Sequence, residues 1–156
     1  MARGGNVEGM LNKSSLYAIY AVVTMASDPD RRVSVKEIAA RFKVSESHVA
    51  KIMQQLARAR VVSSTRGVGG GFQLERDPGE LTMLDIIECL EGARPGPCAD
   101  CSLRHNGGCT PDPTACAVHG ILGEIETQAY YTLKSVTVST LARSGDQPLV
   151  TLGEAG

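Results

Sequence analysis

The chain has 156 residues, of which 42% are hydrophobic, a fraction close to the globular average that excludes wholesale disorder. The net charge is −1, but residues 1–76 hold 12 basic and 6 acidic side chains and residues 77–156 hold 4 basic and 11 acidic ones, so that only the first half is suited to a polyanion. No apolar run reaches the roughly 18 residues of a membrane-spanning helix, and the N-terminus lacks the apolar stretch of a signal peptide, so we expect a cytoplasmic protein that does not contact membranes.

A flexible leader and one amphipathic helix are predicted at the start of the chain. Residues 1–10 carry three glycines and few apolar side chains, which predicts flexibility. Over about residues 12–26, apolar side chains recur at near-helical spacing, which predicts a helix with one broad apolar face. These side chains are Leu16, Ile19, Tyr20, Val23 and Met25.

Two short helices joined by a tight turn are predicted next. Ser34 is a good N-cap with Glu37 at the capping-box position, which predicts a helix over about residues 35–42. Ser45 caps a longer predicted helix over about residues 46–59. The three-residue connection between the two is typical of a helix-turn-helix unit.

A β-hairpin is predicted directly after the helix-turn-helix. Residues 61–65 are rich in β-branched side chains, residues 66–71 are rich in glycine, and residues 72–75 alternate apolar and polar as a returning strand does. A hairpin in this place is a wing. With a further helix predicted over residues 81–90, residues 11–91 form a predicted winged helix-turn-helix domain, and the fold class is mainly α with a small β-hairpin wing.

The predicted winged helix supplies candidate DNA-binding residues in two places. The first turns of a recognition helix meet base edges in the major groove, and a wing tip reaches a phosphate or a narrow minor groove. We expect double-stranded operator DNA as a partner, although a winged helix can also serve only for packing, with the exposed charges merely solvated. The predicted contacts are Ser45, Glu46, Ser47, His48 and Lys51 on the helix, and Arg66 and Gly67 on the wing.

A long loop and a long helix are predicted in the second half. Residues 92–117 hold four of the five cysteines with almost no apolar periodicity, and a loop of this length is commonly functional. Helical spacing returns over about residues 114–134, and residues 135–141 are expected to add one further turn, so a dimerisation helix is predicted over residues 114–142. Residues 143–156 are predicted to form a disordered tail. The apolar stripe of this helix exceeds what a small chain can cover, so we expect it to pack against a second copy. The stripe consists of Val118, Ile121, Leu122, Ile125, Ala129 and Leu133.

The clustered cysteines have the chemistry of metal ligands. Their spacing is C-x2-C-x7-C-x6-C, followed by x2-H, and thiolates and imidazoles bind zinc, other soft metals and iron–sulfur clusters. Unbound structural or regulatory thiols are the alternative, and His119 by itself is equally compatible with an ordinary helix residue. The fifth cysteine, Cys89, lies in an apolar helix pattern and is predicted to be a core cysteine. The candidate metal ligands are Cys98, Cys101, Cys109, Cys116 and His119.

The order of these features resembles that of the Rrf-type bacterial transcriptional regulators over about residues 10–142. The wing sequence Arg66-Gly67-Val68-Gly69-Gly70-Gly71-Phe72 is the most specific part of the likeness. The resemblance implies a homodimeric, winged-helix DNA-binding repressor in which a long helix crosses to the partner. It also implies an iron–sulfur cluster, because sensor members of the family hold one on three loop cysteines and a fourth ligand.

Carried onto this sequence, the resemblance implies that Cys101, Cys109 and Cys116 hold a cluster of the 2Fe–2S or 4Fe–4S type. In IscR-like members a histidine three positions after the third cysteine is the fourth ligand, and His119 matches that place. The gaps of seven and six residues between the cysteines are longer than the usual five, and Cys98 is an additional cysteine. Both Cys98 and His119 therefore stand as candidates for the fourth position.

The sequence thus predicts a dimeric transcriptional regulator whose operator binding is controlled by a cluster that senses redox state, iron or nitric oxide. A zinc-binding or thiol-switch regulator without iron is the first alternative. An iron–sulfur assembly factor is the second, and it leaves the wing unexplained. We do not expect an enzyme, because no HExxH, GxSxG or P-loop pattern occurs.

Overall fold

A computed structural model describes residues 11–92 and 116–144 of the chain. The predicted leader, most of the cysteine-rich loop and most of the predicted tail lie outside the described residues. Within them, helices dominate and a single antiparallel hairpin is present, which confirms the predicted fold class. The elements are α1 (Lys13–Ser27), α2 (Val35–Phe42), α3 (Glu46–Arg58), β1 (Val62–Thr65), β2 (Gly71–Leu74), α4 (Met83–Glu91), α5 (Ala117–Ser135) and α6 (Val138–Ser144).

Local backbone chemistry forms the turn between α2 and α3. Lys43 adopts a left-handed conformation with φ 53°, and the N–H of Val44 donates to the carbonyl of Ala39 at 3.1 Å. These contacts terminate α2. Ser45 then caps α3, because its Oγ accepts from the backbone N–H of His48 at 3.3 Å. The helix-turn-helix is therefore formed as predicted.

The apolar core lies between α1, α3 and α4, and β1, β2 and α6 close its edges. Recognition helix α3 contributes one inner face to this core, namely Val49, Ile52, Met53 and Leu56. Complete burial of such a side chain stabilises the fold by about 1.5–3 kcal/mol. The inner face therefore holds α3 against the domain and leaves its outer face in solvent.

The hairpin is attached through β2 to the segment that precedes the helix-turn-helix. β1 and β2 pair with Val62 opposite Leu74 and Thr65 opposite Gly71. Val33, which precedes α2, exchanges two backbone hydrogen bonds of 2.9 Å with Phe72. The turn end of β2 is thus tied to the entrance of α2, and residues 66–70 extend beyond these bonds.

The region predicted as the dimerisation helix, residues 114–142, contains two helices separated by a short extended link. α5 ends at Ser135, and α6 begins at Val138 and packs against α1. The chain between them is extended and bonds to the segment before α4, since the N–H of Val138 donates to the carbonyl of Leu81 at 2.8 Å. Val138 is fully buried, so burial and this backbone pairing outweigh continuation of the helix. No helix in the described ranges is long and apolar enough to cross a membrane.

Candidate DNA interface and metal ligands

The outer face of α3 presents a row of exposed polar side chains. Four of the residues predicted to contact DNA lie there in solvent: Ser45, Glu46, Ser47 and Lys51. The same face continues with Gln54, Gln55 and Arg58, which are also exposed. Sequence reasoning missed the two glutamines, although they follow Lys51 at the i+3 and i+4 spacing of one helix face. Glutamine amides are suited to the hydrogen-bonding edge of adenine, so this row has the chemistry for base contacts.

The fifth predicted helix contact, His48, has a different environment. Its ring is half-buried, and its Nε2 lies 3.4 Å from Oγ of Ser14 in α1. Tyr17 of α1 packs edge-on against the imidazole, with ring centroids 6.0 Å apart. The side chain of His48 is therefore engaged by α1, whereas Ser47 and Lys51 beside it are exposed.

The wing tip is exposed, and its shape depends on glycine. Arg66 and Gly67 are both exposed, as predicted for residues that approach DNA. A Cβ on Gly70 would lie 2.4 Å from the carbonyl oxygen of Thr65, so no other residue fits there without a backbone shift. Gly69 has φ 74°, a conformation that glycine adopts without strain. The glycines thus permit a tight turn, and the exposed Arg66 lies at its start.

Two of the five candidate metal ligands belong to the described residues, and they share the first turn of α5. Cys116 is the N-cap, and its Sγ accepts from the backbone N–H of His119 at 3.4 Å. Both residues are half-buried. Cys98, Cys101 and Cys109 lie outside the described residues, and the described part of the chain contains no group of three or more potential ligands.

Cys89 has the environment of a core thiol. It is half-buried in α4 and packs against the apolar core. Burial raises the pKa of the Cys89 thiol, the carboxylates of Asp85 and Glu88 act in the same direction, and Arg76 opposes them. This environment disfavours the thiolate, the form that binds metals and reacts as a nucleophile.

α5 carries an apolar face that the described chain leaves in solvent. Ile121 is 61% exposed and Ile125 is 47% exposed. The predicted stripe divides along its length, because Leu133 near the end of the helix packs against the core. Contiguous exposed apolar surface of this kind is typical of a protein–protein interface. Its exposed residues are Val118, Ile121, Leu122 and Ile125, whereas the exposed Tyr130 and Tyr131 lie off this face.

Comparison with known proteins identifies the family. Residues 11–144 match the Rrf2 family, described as iron-dependent transcriptional regulators. The chain belongs to the Rrf2 family. Proteins of this family, and the named relatives of this regulator, act in transcription and are not enzymes.

Curated relatives support the assignment of this Rrf2 regulator. It is 36% identical over 134 residues to the HTH-type transcriptional regulator BadM of Rhodopseudomonas palustris, a match that spans 85% of this chain and 81% of BadM. It is 33% identical over 125 residues to an HTH-type transcriptional regulator of Aquifex aeolicus, with 80% and 85% of the two chains covered. The winged helix is thus the DNA-binding domain of a transcriptional regulator.

Solved structures share its fold. IscR of T. potens superposes with a TM-score of 0.69 at 23% identity, covering 92% of this chain and 93% of that one. CymR of B. subtilis, described as the global cysteine regulator, superposes with a TM-score of 0.66 at 23% identity, covering 86% and 96%. Both likenesses concern the fold, which is the same winged-helix architecture.

Proposed function

We propose that this Rrf2 regulator is a homodimeric repressor whose affinity for operator DNA is controlled by an iron–sulfur cluster. One observation carries the proposal: α5 bears Cys116 and His119 on its first turn and the exposed apolar face along its next turns. A ligand site and a dimer contact that share one helix are mechanically connected. A change at the ligands then alters how two copies are arranged.

The residues fit the proposed cluster in chemical type. Cys101, Cys109 and Cys116 are the three proposed thiolate ligands, and His119 is the preferred fourth ligand over Cys98. Sulfur and imidazole are established ligands of iron–sulfur centres. A bound cluster supplies a centre that changes with electron transfer, iron supply or nitric oxide. Cys116 is both a proposed ligand and the N-cap of α5. A change in the position of Cys116 therefore also changes the position of the start of this helix.

The apolar face of α5 is the proposed dimer contact. Its exposed side chains include Ile121 and Ile125, and their removal from water stabilises an interface by about 25 cal/mol per Å² of apolar area. Two copies related by a twofold axis present two α3 helices. Operator half-sites lie about 34 Å apart along DNA, so a small change of spacing between the helices weakens both contacts together.

The proposed division of labour at DNA follows from exposure. Lys51, Gln54 and Gln55 extend from the outer face of α3 and are assigned to base edges. Arg66 on the wing is assigned to a phosphate, where a guanidinium contributes affinity without sequence preference. The basic surplus of residues 1–76 supports this orientation, because it lies in the half that holds both elements.

A thiol-switch or zinc regulator is the second candidate. The family fold accommodates it, since CymR of Staphylococcus aureus, with a TM-score of 0.67 at 22% identity, was solved in an oxidised form. The four closely spaced cysteines of this chain suit disulfide formation or zinc as well as a cluster. The DNA-binding and dimer surfaces are the same in this alternative, so only the chemistry at the cysteines distinguishes the two.

Anaerobic purification of the full chain tests the proposal. Iron and acid-labile sulfide are measured together with the visible absorption spectrum, and a random-sequence DNA library is selected on the protein to obtain a binding duplex. We expect a coloured protein with iron and sulfide whose affinity for the duplex changes when the cluster is removed. A colourless protein that contains zinc, or one whose affinity responds only to thiol oxidation, supports the second candidate and contradicts the first.

A further inference from the structure

A line of polar contacts joins the end of α4 to the start of α1. Glu91 is the last residue of α4, and Cys98, the first of the clustered cysteines, follows it by seven residues. One carboxylate oxygen of Glu91 accepts from Oγ of Ser15 at 2.5 Å and from the backbone N–H of Asn12 at 3.2 Å. The residue that leads into the cysteine-rich segment therefore holds the first turn of α1.

This contact is built into the fold. Ser15 is fully buried and is the only buried polar residue among those the structure describes, so loss of its carboxylate partner leaves a buried hydroxyl unsatisfied. α1 has no acidic residue in its own first turn. Glu91 supplies from α4 the negative charge that a helix N-terminus favours. The position of this turn of α1 thus depends on Glu91.

The same turn of α1 holds the recognition helix. Ser14, which precedes Ser15, lies 3.4 Å from Nε2 of His48 through its Oγ, and Tyr17 packs edge-on against the same imidazole. His48 is in the first turn of α3, between the exposed Ser47 and Lys51. Neighbouring residues of one helical turn therefore contact the end of α4 on one side and the start of α3 on the other.

We propose that Glu91, Ser15, Ser14 and His48 form a relay that transmits the state of the cysteine-rich segment to the recognition helix. His48 is a positioning residue in this relay, and it sets the orientation of the DNA-contacting side chains on α3 without contacting bases. A displacement of Glu91 releases Ser15 and the N-terminus of α1, and the movement of α1 is passed through Ser14 to His48. The regulatory part of this inference rests on the proposed function.

Equilibrium DNA binding tests the regulatory part. The dissociation constant of the full chain for its selected duplex is measured once with the cysteine-rich segment metal-loaded and once with it metal-free. The ratio of these two dissociation constants is the readout. Ser14→Ala and Glu91→Ala are each expected to reduce this ratio by about fivefold, the factor contributed by a hydrogen bond of ordinary strength. Glu91→Gln retains an acceptor oxygen and is expected to restore part of the ratio.

Matched controls lie on the same helices. Ser27→Ala removes a hydroxyl at the far end of α1, where it bonds only within the helix, and Glu88→Ala removes an exposed carboxylate from α4. Both controls are expected to keep the wild-type ratio. When the wild-type ratio differs from one, an unchanged ratio in Ser14→Ala and Glu91→Ala, or an equal loss in the controls, overturns the relay.

A readout that does not depend on metal separates the relay from the proposed function. In metal-free protein, Glu91→Ala is expected to accelerate amide hydrogen exchange about fivefold in the peptide covering residues 45–51, relative to Glu88→Ala. If the wild-type DNA ratio is one while this acceleration occurs, the proposed function fails and the mechanical relay stands. α4 also packs directly on α3, so an acceleration that is the same size in a Ser14→Ala background overturns the route through α1.

The role of His48 has its own test. His48→Gln is expected to weaken binding by a similar factor on every duplex in a panel of single-base variants, because a positioning residue acts through the whole helix. Lys51→Gln, one turn along α3, is expected to change the ranking of the panel. A changed ranking with His48→Gln would instead show that this side chain contacts a base.

Discussion

Arg66 is exposed beside the glycine turn of the wing, and the proposed function assigns its cation to the DNA backbone. We expect Arg66→Ala to weaken DNA binding and to make the slope of log affinity against log salt less steep by about one unit, since one phosphate contact is lost. Fluorescence anisotropy at several salt concentrations measures both effects. Lys134→Ala, which removes an exposed cation from α5, is the control and is expected to leave the slope unchanged.

At the same scale, Cys89 is expected to be a poor nucleophile in the folded protein. Burial raises the pKa of the Cys89 thiol, so the thiol stays protonated at neutral pH. The protonated thiol contributes to the free energy of unfolding at a pH below the pKa of the unfolded chain. This contribution is lost as the pH rises through the higher pKa of the folded chain. In a variant with the other four cysteines replaced by alanine, iodoacetamide should label Cys89 more slowly in the folded than in the denatured chain at pH 8. Mass spectrometry follows the labelling, and equal labelling rates in the folded and denatured chains would contradict a core role for Cys89.

At the scale of elements, the exposed face of α5 is the proposed dimer contact. Ile125→Glu places a charge in that face, and burial of an unpaired ion in an interface costs several kcal/mol, about 3–5 by analogy with broken buried pairs. We expect a monomer by sedimentation at micromolar concentration. Thr127→Glu adds the same charge to an exposed position on the opposite side of the helix and is expected to remain dimeric. A dimeric Ile125→Glu protein would assign the interface to another surface.

The wing turn is the second testable element. Gly70→Ala brings a Cβ within 2.4 Å of the Thr65 carbonyl oxygen, and backbone atoms on both sides leave the turn no cheap adjustment. We expect destabilisation of about 1–3 kcal/mol, by analogy with overpacked sites, together with weaker DNA binding. Thermal unfolding and anisotropy measure the two effects. Gly120→Ala meets no atom within 4 Å in a helix interior and is expected to be neutral or stabilising.

At the scale of the whole molecule, the proposed ligand set connects the cysteine-rich segment, α5 and the proposed dimer. We expect Cys101→Ala, Cys109→Ala and Cys116→Ala each to abolish iron and sulfide binding after anaerobic reconstitution, because three thiolates are the minimum of the proposed site. His119→Ala is expected to lose iron, whereas Cys98→Ala is expected to retain it. The reverse result would assign the fourth position to Cys98, and normal cluster absorption in Cys109→Ala would refute the cluster site as a whole.

Much of this fold was predictable because local chemistry determines it. Ser45 caps α3, the turn at Lys43 ends α2, and the glycines after Arg66 form the wing turn. Each of these signals acts within a few residues along the chain. The exposed polar face of α3 likewise follows from helical periodicity, although Gln54 and Gln55 were not predicted as part of it. Most predicted ligands lie outside the described residues, so the ligand assignments remain predictions.

The sequence by itself determined the helix-turn-helix, the wing and the unequal distribution of charge. It also determined an apolar stripe that a chain of this size was not expected to cover. Only the tertiary structure decided that the final helix breaks before Val138, that His48 faces α1, and that Glu91 holds Ser15. These outcomes depend on contacts between residues far apart in the chain, such as the 76 positions that separate Ser15 from Glu91. Burial and hydrogen bonding across such distances outweigh local helical preference, and no local pattern encodes them.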